Sequence, residues 1–300
     1  MRSFQNQHIQ PGVSSDHLYH FALSTDNHDL KAMFGDVKFV CLGGSPKRME
    51  SMAFYLLEEL APAVKLSAGT TLTNIAGGSD RYVMFKVGPV LCMSHGMGTP
   101  SLSILLHELV KLLHHAECTD VTVFRIGTSG GIGLAPGSVV VTREAVNDLL
   151  EPYYRLSVLG KEERFPTCND PAVREEIISL VNPDEDGFVA IEGNTMCTND
   201  FYEGQARLDG AFCNYTEEDK QAFLRLLHEK GVRNIEMEST VFSALLNRAG
   251  IRSAVICTTL LDRFHGDQIS VSREILSEWE KRPQMIVARY VKKKLGIFSQ

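Results

Sequence analysis

Apolar runs and helical stretches alternate along most of the chain. Short runs such as V-K-F-V-C-L at 37–42 and V-T-V-F-R-I at 121–126 are rich in β-branched and apolar residues, which predicts strands. Between them, the segments 47–60 and 99–115 repeat apolar residues at the spacing of a helix face. Several strands are apolar along their whole length, so they are expected to be buried on both faces. The pattern predicts an α/β fold with helices on both faces of a central sheet.

Local signals place the remaining elements. Gly88-Pro89 is expected to connect the two strands of a hairpin. Thr99 is expected to cap a helix that has Pro100 at its first position. The strand from 121 is expected to end at G-T-S-G-G-I-G. Residues 1–34 are polar and predict a partly disordered N-terminal arm, followed by one domain over 35–300. The other predicted elements are strands at 81–87, 90–94, 138–142, about 187–192 and 253–261, and helices at 216–230, from Glu238, and at 272–295.

Composition narrows the function classes. A net charge of -7 gives no general attraction to nucleic acid or to an anionic membrane surface. No apolar run approaches the length of about 20 residues that a transmembrane helix needs, and the polar start lacks a signal-peptide core. The seven cysteines are scattered without a C-x-x-C pair. We therefore expect a cytoplasmic protein with reduced cysteines and no metal site.

Glycine and arginine at the ends of two predicted strands indicate an anion site. Gly44 and Arg48 lie where the first strand meets a helix, a position that also fits a plain connecting turn. Arg125 lies inside an apolar strand, so its guanidinium needs a partner. That partner is either a carboxylate in a structural salt bridge or a bound anion, with Thr128 supplying a hydroxyl. Arg81, expected at the start of a strand, completes a possible phosphate clamp.

Two polar segments offer groups for recognising an organic ligand. Gln205 and Arg207 lie two residues apart, so in an extended strand they point the same way and can contact a planar polar ligand, with Phe201 for stacking. A decorated surface loop is the alternative. Glu236 and Glu238 lie where a helix begins, and complementing the helix dipole is a sufficient explanation for either.

Taken together, these segments resemble the nucleoside phosphorylase family, in particular its animal-type uridine phosphorylases. The similarity runs from about Phe34 to Lys294 and is carried by several long motifs in the right order. It implies a three-layer α/β fold with a twisted mixed central sheet flanked by helices. It also implies a pentosyltransferase that converts uridine and phosphate reversibly to uracil and ribose 1-phosphate, with no metal or organic cofactor. The motifs are F-G-D-V-K-F-V-C-L-G-G-S-P (34–46), V-G-P-V-L-C-M-S-H-G-M-G (87–98), R-I-G-T-S-G-G-I-G-L (125–134), G-N-T-M-C-T-N-D-F-Y-E-G-Q-A-R-L-D-G (193–210) and I-E-M-E-S (235–239).

The resemblance also implies roles for individual residues. His20 and Arg81 match residues that this family contributes across a homodimer interface, to the ribose 5′-hydroxyl and to phosphate respectively. The arginine charge near the base would stabilise the leaving uracil anion. The implied phosphate ligands are Gly44, Arg48, Arg81, Arg125 and Thr128; the ribose ligands are His20, Met237 and Glu238; the uracil ligands are Phe201, Gln205, Arg207, Leu260 and Leu261.

Two positions keep other interpretations open, and a third excludes a bound ion. Asp262 stands where animal uridine enzymes have asparagine and purine-specific relatives have a nearby aspartate, so a purine nucleoside phosphorylase is the alternative. Ala206, between the two base-recognising residues, leaves room for a catalytically weak nucleoside-binding paralogue. Tyr82 replaces the glutamate with which bacterial relatives bind potassium, so no such ion is expected. Use of deoxyuridine or thymidine, dimer against hexamer, and the direction of flux between pyrimidine salvage and breakdown stay open.

Overall fold

Strands and helices alternate in the computed structural model, which describes residues 15–61, 63–64 and 71–297. The chain divides into two compact units. The first unit holds Met1–Phe124, Leu245–Ser253 and Val291–Gln300, and the second holds Arg125–Ala244 and Ala254–Tyr290. The mixed α/β class with a mixed sheet and flanking helices is confirmed, whereas the single domain over 35–300 stays a prediction.

The first unit is organised around three neighbouring strands. β3 pairs with β5 in parallel, and β4 pairs with β5 in antiparallel orientation across the turn at Gly88-Pro89, so the predicted hairpin is confirmed. The elements that begin in this unit are β1 (His17–Leu18), β2 (Leu23–Ser24), α1 (Leu30–Phe34), β3 (Phe39–Gly43), α2 (Pro46–Glu59), β4 (Met84–Val87), β5 (Val90–Ser94), α3 (Thr99–His115), β6 (Thr122–Gly131) and β12 (Arg252–Asp262).

In the second unit five strands follow one another in the order β11, β10, β7, β12 and β6. β11 also pairs with β6 in antiparallel orientation, so the five strands close on themselves. The other elements that begin in this unit are β7 (Val139–Val146), β8 (Tyr153–Val158), β9 (Lys161–Pro166), α4 (Pro171–Ser179), α5 (Pro183–Asp186), β10 (Ala190–Cys197), α6 (Glu217–Glu229), β11 (Val232–Glu236), α7 (Ser239–Ala249) and α8 (Arg273–Lys294).

The residues of the expected N-terminal arm that the structure describes are folded, not disordered. Leu18, Phe21 and Phe34 are fully buried, so the segment 15–34 contributes side chains to the core of the first unit. Asp16 accepts a hydrogen bond from Nε2 of His115 at 2.7 Å and forms an ion pair with Lys111 on α3. Residues 1–14 of the predicted arm lie outside the described residues.

Element boundaries correct the sequence-based expectations at several points. The cap of α3 is Gly98, with φ of +84°, so Thr99 is the first helical residue and Pro100 the second. β6 does not halt at Gly127 but continues to Gly131. Thr216 does cap α6, in a reciprocal capping box with Asp219.

The hairpin of β8 and β9 was not predicted at all. Its strands carry charged residues without strict alternation, and Arg155 stands opposite Arg164 in the register. Glu151 contacts both arginines, so a carboxylate from the preceding turn compensates the like charges. In the described part of the chain, no helix is long and apolar enough to cross a membrane.

Burial of the N-terminal segment gives a stability prediction. Phe21 is fully buried, so Phe21→Ala is expected to lower the free energy of unfolding by about 3–5 kcal/mol, since it leaves a cavity in the core. Tyr19, two residues away, is 78% exposed and provides the control Tyr19→Ala, with little expected change. Denaturant unfolding of the two variants measures the difference. Equal midpoints would show that residues 15–34 contribute no core.

Candidate active site

Arg125 is the most buried of the predicted site residues that carry charge, with 3% of its surface exposed. Its Nη2 atom lies 2.6 Å from Oε2 of Glu236 and also contacts Oε2 of Glu238. Burial disfavours the charged arginine, but the two carboxylates outweigh burial and raise the pKa of Arg125 above its ordinary value. The salt-bridge alternative for Arg125 is therefore present, and the bridge includes Glu238, a predicted ribose ligand. Nε of Arg125 is buried and has no hydrogen-bond partner among the described residues.

The segment from Glu236 to Glu238 connects β11 to α7. Helix α7 begins at Ser239, so Glu238 precedes it and does not open it as expected. The Glu236 carboxylate accepts hydrogen bonds from the backbone N–H groups of Glu238 at 2.9 Å and of Ser239 at 2.9 and 3.1 Å. Glu236 thus satisfies the start of α7 and at the same time compensates Arg125. Met237 is half-buried between the two carboxylates.

Thr128 and its neighbour show how β6 distributes hydroxyl groups. Ser129 is buried, donates to the carbonyl of Thr258 at 3.1 Å and accepts from Nδ2 of Asn234 at 3.0 Å. Thr128 is half-buried. Because successive side chains of a strand point to opposite faces, Thr128 faces away from that buried network.

Gln205 and Arg207 do not lie on an extended strand. Glu203–Gln205 form a 3-10 turn, and Ala206 follows with φ of +53°, a left-handed conformation that costs an alanine about 1–2 kcal/mol. The turn is held by hydrogen bonds from the N–H of Ala206 to the carbonyl of Glu203 and from the N–H of Arg207 to the carbonyl of Tyr202. The residues do come together, but through a strained turn.

The Arg207 guanidinium is ordered by several neighbours. Its Nε and Nη2 donate to the two oxygens of Asp209 at 2.9 and 2.7 Å, and Nη2 also donates to the carbonyl of Asp267 at 2.7 Å. Its carbon Cζ lies 4.3 Å from the centre of the Phe201 ring, so that ring stacks against the arginine. Arg207 in turn holds the pKa of the Asp209 carboxyl below its usual range. Gln205 is buried, and its carbonyl accepts from Nη2 of Arg263 at 2.7 Å.

Leu260 and Leu261, at the end of β12, line a cavity of about 480 Å³ in the second unit. None of the other predicted uracil ligands lies in the described lining of this cavity. Asp262 also borders it, but its carboxylate is already occupied: Oδ1 accepts from the N–H groups of Gly133 and Phe264, each at 3.1 Å. Oδ2 lies 3.1 Å from Nδ1 of His265.

The remaining predicted residues lie in the first unit. A Cβ atom at Gly44 would lie 3.1 Å from the carbonyl oxygen of Gly96 and 3.8 Å from Nη2 of Arg48, which explains a glycine at this point. Nδ1 of His20 lies 2.6 Å from Oε1 of Glu108. Arg81 is exposed in a bend three residues before β4, so it does not start a strand as expected.

Sequence reasoning missed the residues that support Arg207 and His20. Asp209, Asp267 and Glu108 contact them, yet none was singled out. A weak signal exists for Asp209, which follows Arg207 by two residues, and for Asp267, which follows Arg263 by four. Glu108 is 88 residues from His20, so no local pattern links them.

This chain is similar to known proteins over most of its length. The family model described as the phosphorylase superfamily matches residues 38–292. Uridine phosphorylase 1 of Mus musculus is 52% identical over 284 residues, which are 95% of this chain and 90% of that protein. Inactive uridine phosphorylase B of Schistosoma mansoni is 37% identical and covers 97% of this chain and 96% of its own length. The crystal structure of uridine phosphorylase from Schistosoma mansoni in complex with uracil matches with a TM-score of 0.90 and 40% identity, covering 98% of this chain and 100% of that chain.

The shared compensation of Arg125 gives a second prediction. Glu236→Gln keeps an acceptor for the N–H groups of α7 but replaces the charged contact to Arg125 and the charge-assisted hydrogen bonds with neutral ones, so we expect the free energy of unfolding to fall by about 2 kcal/mol. Glu229→Gln, the same change at an exposed position of α6, should stay within about 0.5 kcal/mol of the parent. Denaturant unfolding compares the two. If Glu236→Gln were as stable as Glu229→Gln, Glu238 alone would suffice to compensate Arg125.

Proposed function

The chain belongs to the phosphorylase superfamily, and on this premise we propose that it is a uridine phosphorylase. Such a pentosyltransferase cleaves uridine with inorganic phosphate to give uracil and ribose 1-phosphate. The observation that carries the proposal is the sequence identity of 52% to a uridine phosphorylase over 95% of this chain. The ordered arginine beside Phe201 and Gln205 supports it, since its charge suits a departing base anion.

The proposed chemistry needs no metal or organic cofactor. The N-glycosidic bond breaks, its electron pair goes to the uracil nitrogen, and a phosphate oxygen forms the new bond to the same sugar carbon. Positive charge on the sugar is stabilised by bound phosphate, and negative charge on uracil by Arg207 and Gln205. The proposed phosphate ligands are Gly44, Arg48, Arg125 and Thr128, with Arg81 from a second copy.

Ribose would be held through Glu238 and Met237. One oxygen of Glu238 contacts Arg125, and Glu236 accepts a hydrogen bond from the Glu238 N–H, so protein groups hold this carboxylate in place. A fixed carboxylate orients the sugar without an ordering cost at the moment of reaction. We also propose that Phe201, Leu260 and Leu261 contact the uracil ring.

The smallest complete catalyst in this proposal is a homodimer, because His20 and Arg81 would act on the neighbouring copy. His20 fits a contact with the 5′-hydroxyl, since Glu108 engages its Nδ1 and leaves Nε2 for a ligand. We place the enzyme in the cytoplasm, in pyrimidine salvage or breakdown. The seven free cysteines, five of them buried, suit a reducing compartment.

Phosphate-dependent uracil release tests the proposal directly. Purified protein is expected to consume uridine only when phosphate is present, and Arg207→Ala is expected to lower kcat/KM by a factor on the order of 10²–10³, because the leaving base loses its charged donor. Arg225→Ala, at an exposed position on α6, is the matched control and should behave as the parent. Inosine and thymidine in parallel reactions report base and sugar selectivity.

Each contrary result identifies a different function. Inosine cleavage without uridine cleavage would establish the purine alternative. Uracil binding without turnover of any nucleoside would establish a catalytically weak paralogue; one relative, from Schistosoma mansoni, is named an inactive uridine phosphorylase.

Asp262→Asn separates the purine and uridine alternatives at one residue. Asparagine can still accept from the N–H groups of Gly133 and Phe264, and it caps a turn about as well as aspartate. The difference between the two caps is a few tenths of a kcal/mol, so we expect uridine turnover to stay within about threefold of the parent. Initial rates with uridine and inosine provide the measurement. Inosine cleavage by the parent that disappears in Asp262→Asn would assign Asp262 to purine chemistry instead.

A further inference from the structure

The Arg207 side chain is held in the second unit by contacts with other protein groups. Asp209 accepts from Nε and Nη2 in a two-point contact, which is the geometry in which a guanidinium and a carboxylate bind most strongly. The Asp267 carbonyl engages Nη2 from another direction, and the Phe201 ring stacks against the guanidinium. The side-chain hydrogen bonds that the described residues receive from Arg207 come from Nε and Nη2, on one side of the guanidinium.

Asp267 connects this arginine to the protein interior. Its carboxylate accepts from the Leu208 N–H at 3.0 Å, from Nζ of Lys220 at 3.1 Å and from Nε of Arg263 at 3.0 Å. Arg263 and Lys220 are 0% and 2% exposed, so Asp267 is a carboxylate partner of two buried cations, of which Lys220 also lies 3.7 Å from Oε2 of Glu217. Arg263 also donates to the Gln205 carbonyl at 2.7 Å.

These contacts fix the backbone of the base-recognition turn, defined as residues 205–208, and within it the side chain of Arg207. The turn contains the left-handed Ala206, a conformation that persists only where its surroundings determine it. Burial raises the pKa of Asp267, but the Leu208 N–H and the cations Lys220 and Arg263 outweigh burial and lower it. Asp267 is therefore ionised and holds the turn at neutral pH.

We propose that Asp209 and Asp267 are positioning residues that hold Arg207 with its Nη1 edge available to the base of the substrate. The inference rests on the proposed function, since it assigns to Arg207 the stabilisation of the departing uracil. Arg207 would then act through a fixed hydrogen bond rather than through an uncompensated charge, because Asp209 balances that charge locally. Weakening the contact of Asp209 with Arg207 should therefore lower kcat/KM most for the substrate whose base is the poorer leaving group.

Leaving-group acidity distinguishes this role from a structural one. Fluorine withdraws electrons, so 5-fluorouracil departs as an anion more easily than uracil and needs less help. For Asp209→Asn we expect kcat/KM to fall about 30-fold with uridine and only about threefold with 5-fluorouridine, since a misplaced donor is felt most in the more demanding reaction. Lys220→Met removes one of the cations that contact Asp267. In this variant we expect the ratio of kcat/KM for uridine to kcat/KM for 5-fluorouridine to fall about threefold.

The matched control is Asp186→Asn. Asp186 also forms a two-point contact with an arginine, Arg289, but in another part of the second unit. The Asp186→Asn variant should leave the ratio of kcat/KM for uridine to kcat/KM for 5-fluorouridine unchanged. Thermal unfolding of each variant reports whether it is folded.

The possible failures are distinguishable. Equal losses with uridine and 5-fluorouridine in Asp209→Asn, or a faster reaction with uridine, would overturn the positioning role while leaving the proposed function intact. If the parent released no uracil from uridine, the proposed function would fail. Calorimetric binding of uracil would then test the positioning of Arg207 by itself. Binding about tenfold weaker in Asp209→Asn than in Asp186→Asn would support positioning, and equal affinities would contradict it.

Discussion

A guanidinium sealed from water requires carboxylates beside it, and this requirement organises the second unit. Arg125 at 3% exposure is compensated by Glu236 and Glu238, which stand at the junction of β11 and α7. The same junction satisfies the first N–H groups of α7 through Glu236. One set of charges thus fixes a strand end, a helix start and the carboxylate proposed for ribose. Removing Arg125 would leave two buried carboxylates side by side without a counter-charge, which is far more costly than losing a surface ion pair.

The base-recognition turn follows the same logic with the signs exchanged. There, Asp267 is the buried anion that Arg263 and Lys220 surround, while Arg207 is compensated at the rim by Asp209. Both arrangements hold in place, through protein contacts, a side chain that we propose to act on the substrate. Preorganisation of this kind favours a transition state, because the groups need no reorientation as charge develops.

Sequence periodicity was a reliable guide wherever one physical signal dominated. The apolar spacing of α3, the capping residues of α6 and the alternation of strands and helices each express a local preference that the fold does not oppose. Sequence periodicity did not predict elements that depend on charges elsewhere in the chain. The β8–β9 hairpin is an example, because its facing arginines need Glu151. Gln205 and Arg207 were expected on a strand because their spacing fits one, but Ala206 adopts a left-handed conformation that no alanine signals in advance. The contacts of Asp267 to Leu208 and Lys220 span 59 and 47 residues, beyond any local pattern.

The pairing of β11 with both β10 and β6 has a consequence for how this protein can change over evolutionary time. Ile235 and Asn234 are matched to Gly130 and Gly131 on one side, while β10 is matched on the other. Side chains alternate between the faces of a strand, so a slip of one residue would turn Glu236 away from Arg125. A single-residue insertion or deletion in β11 would therefore have to satisfy two neighbouring registers and a charge at once. We expect length variation among relatives to be confined to connecting loops, with this strand inherited as an unbroken unit.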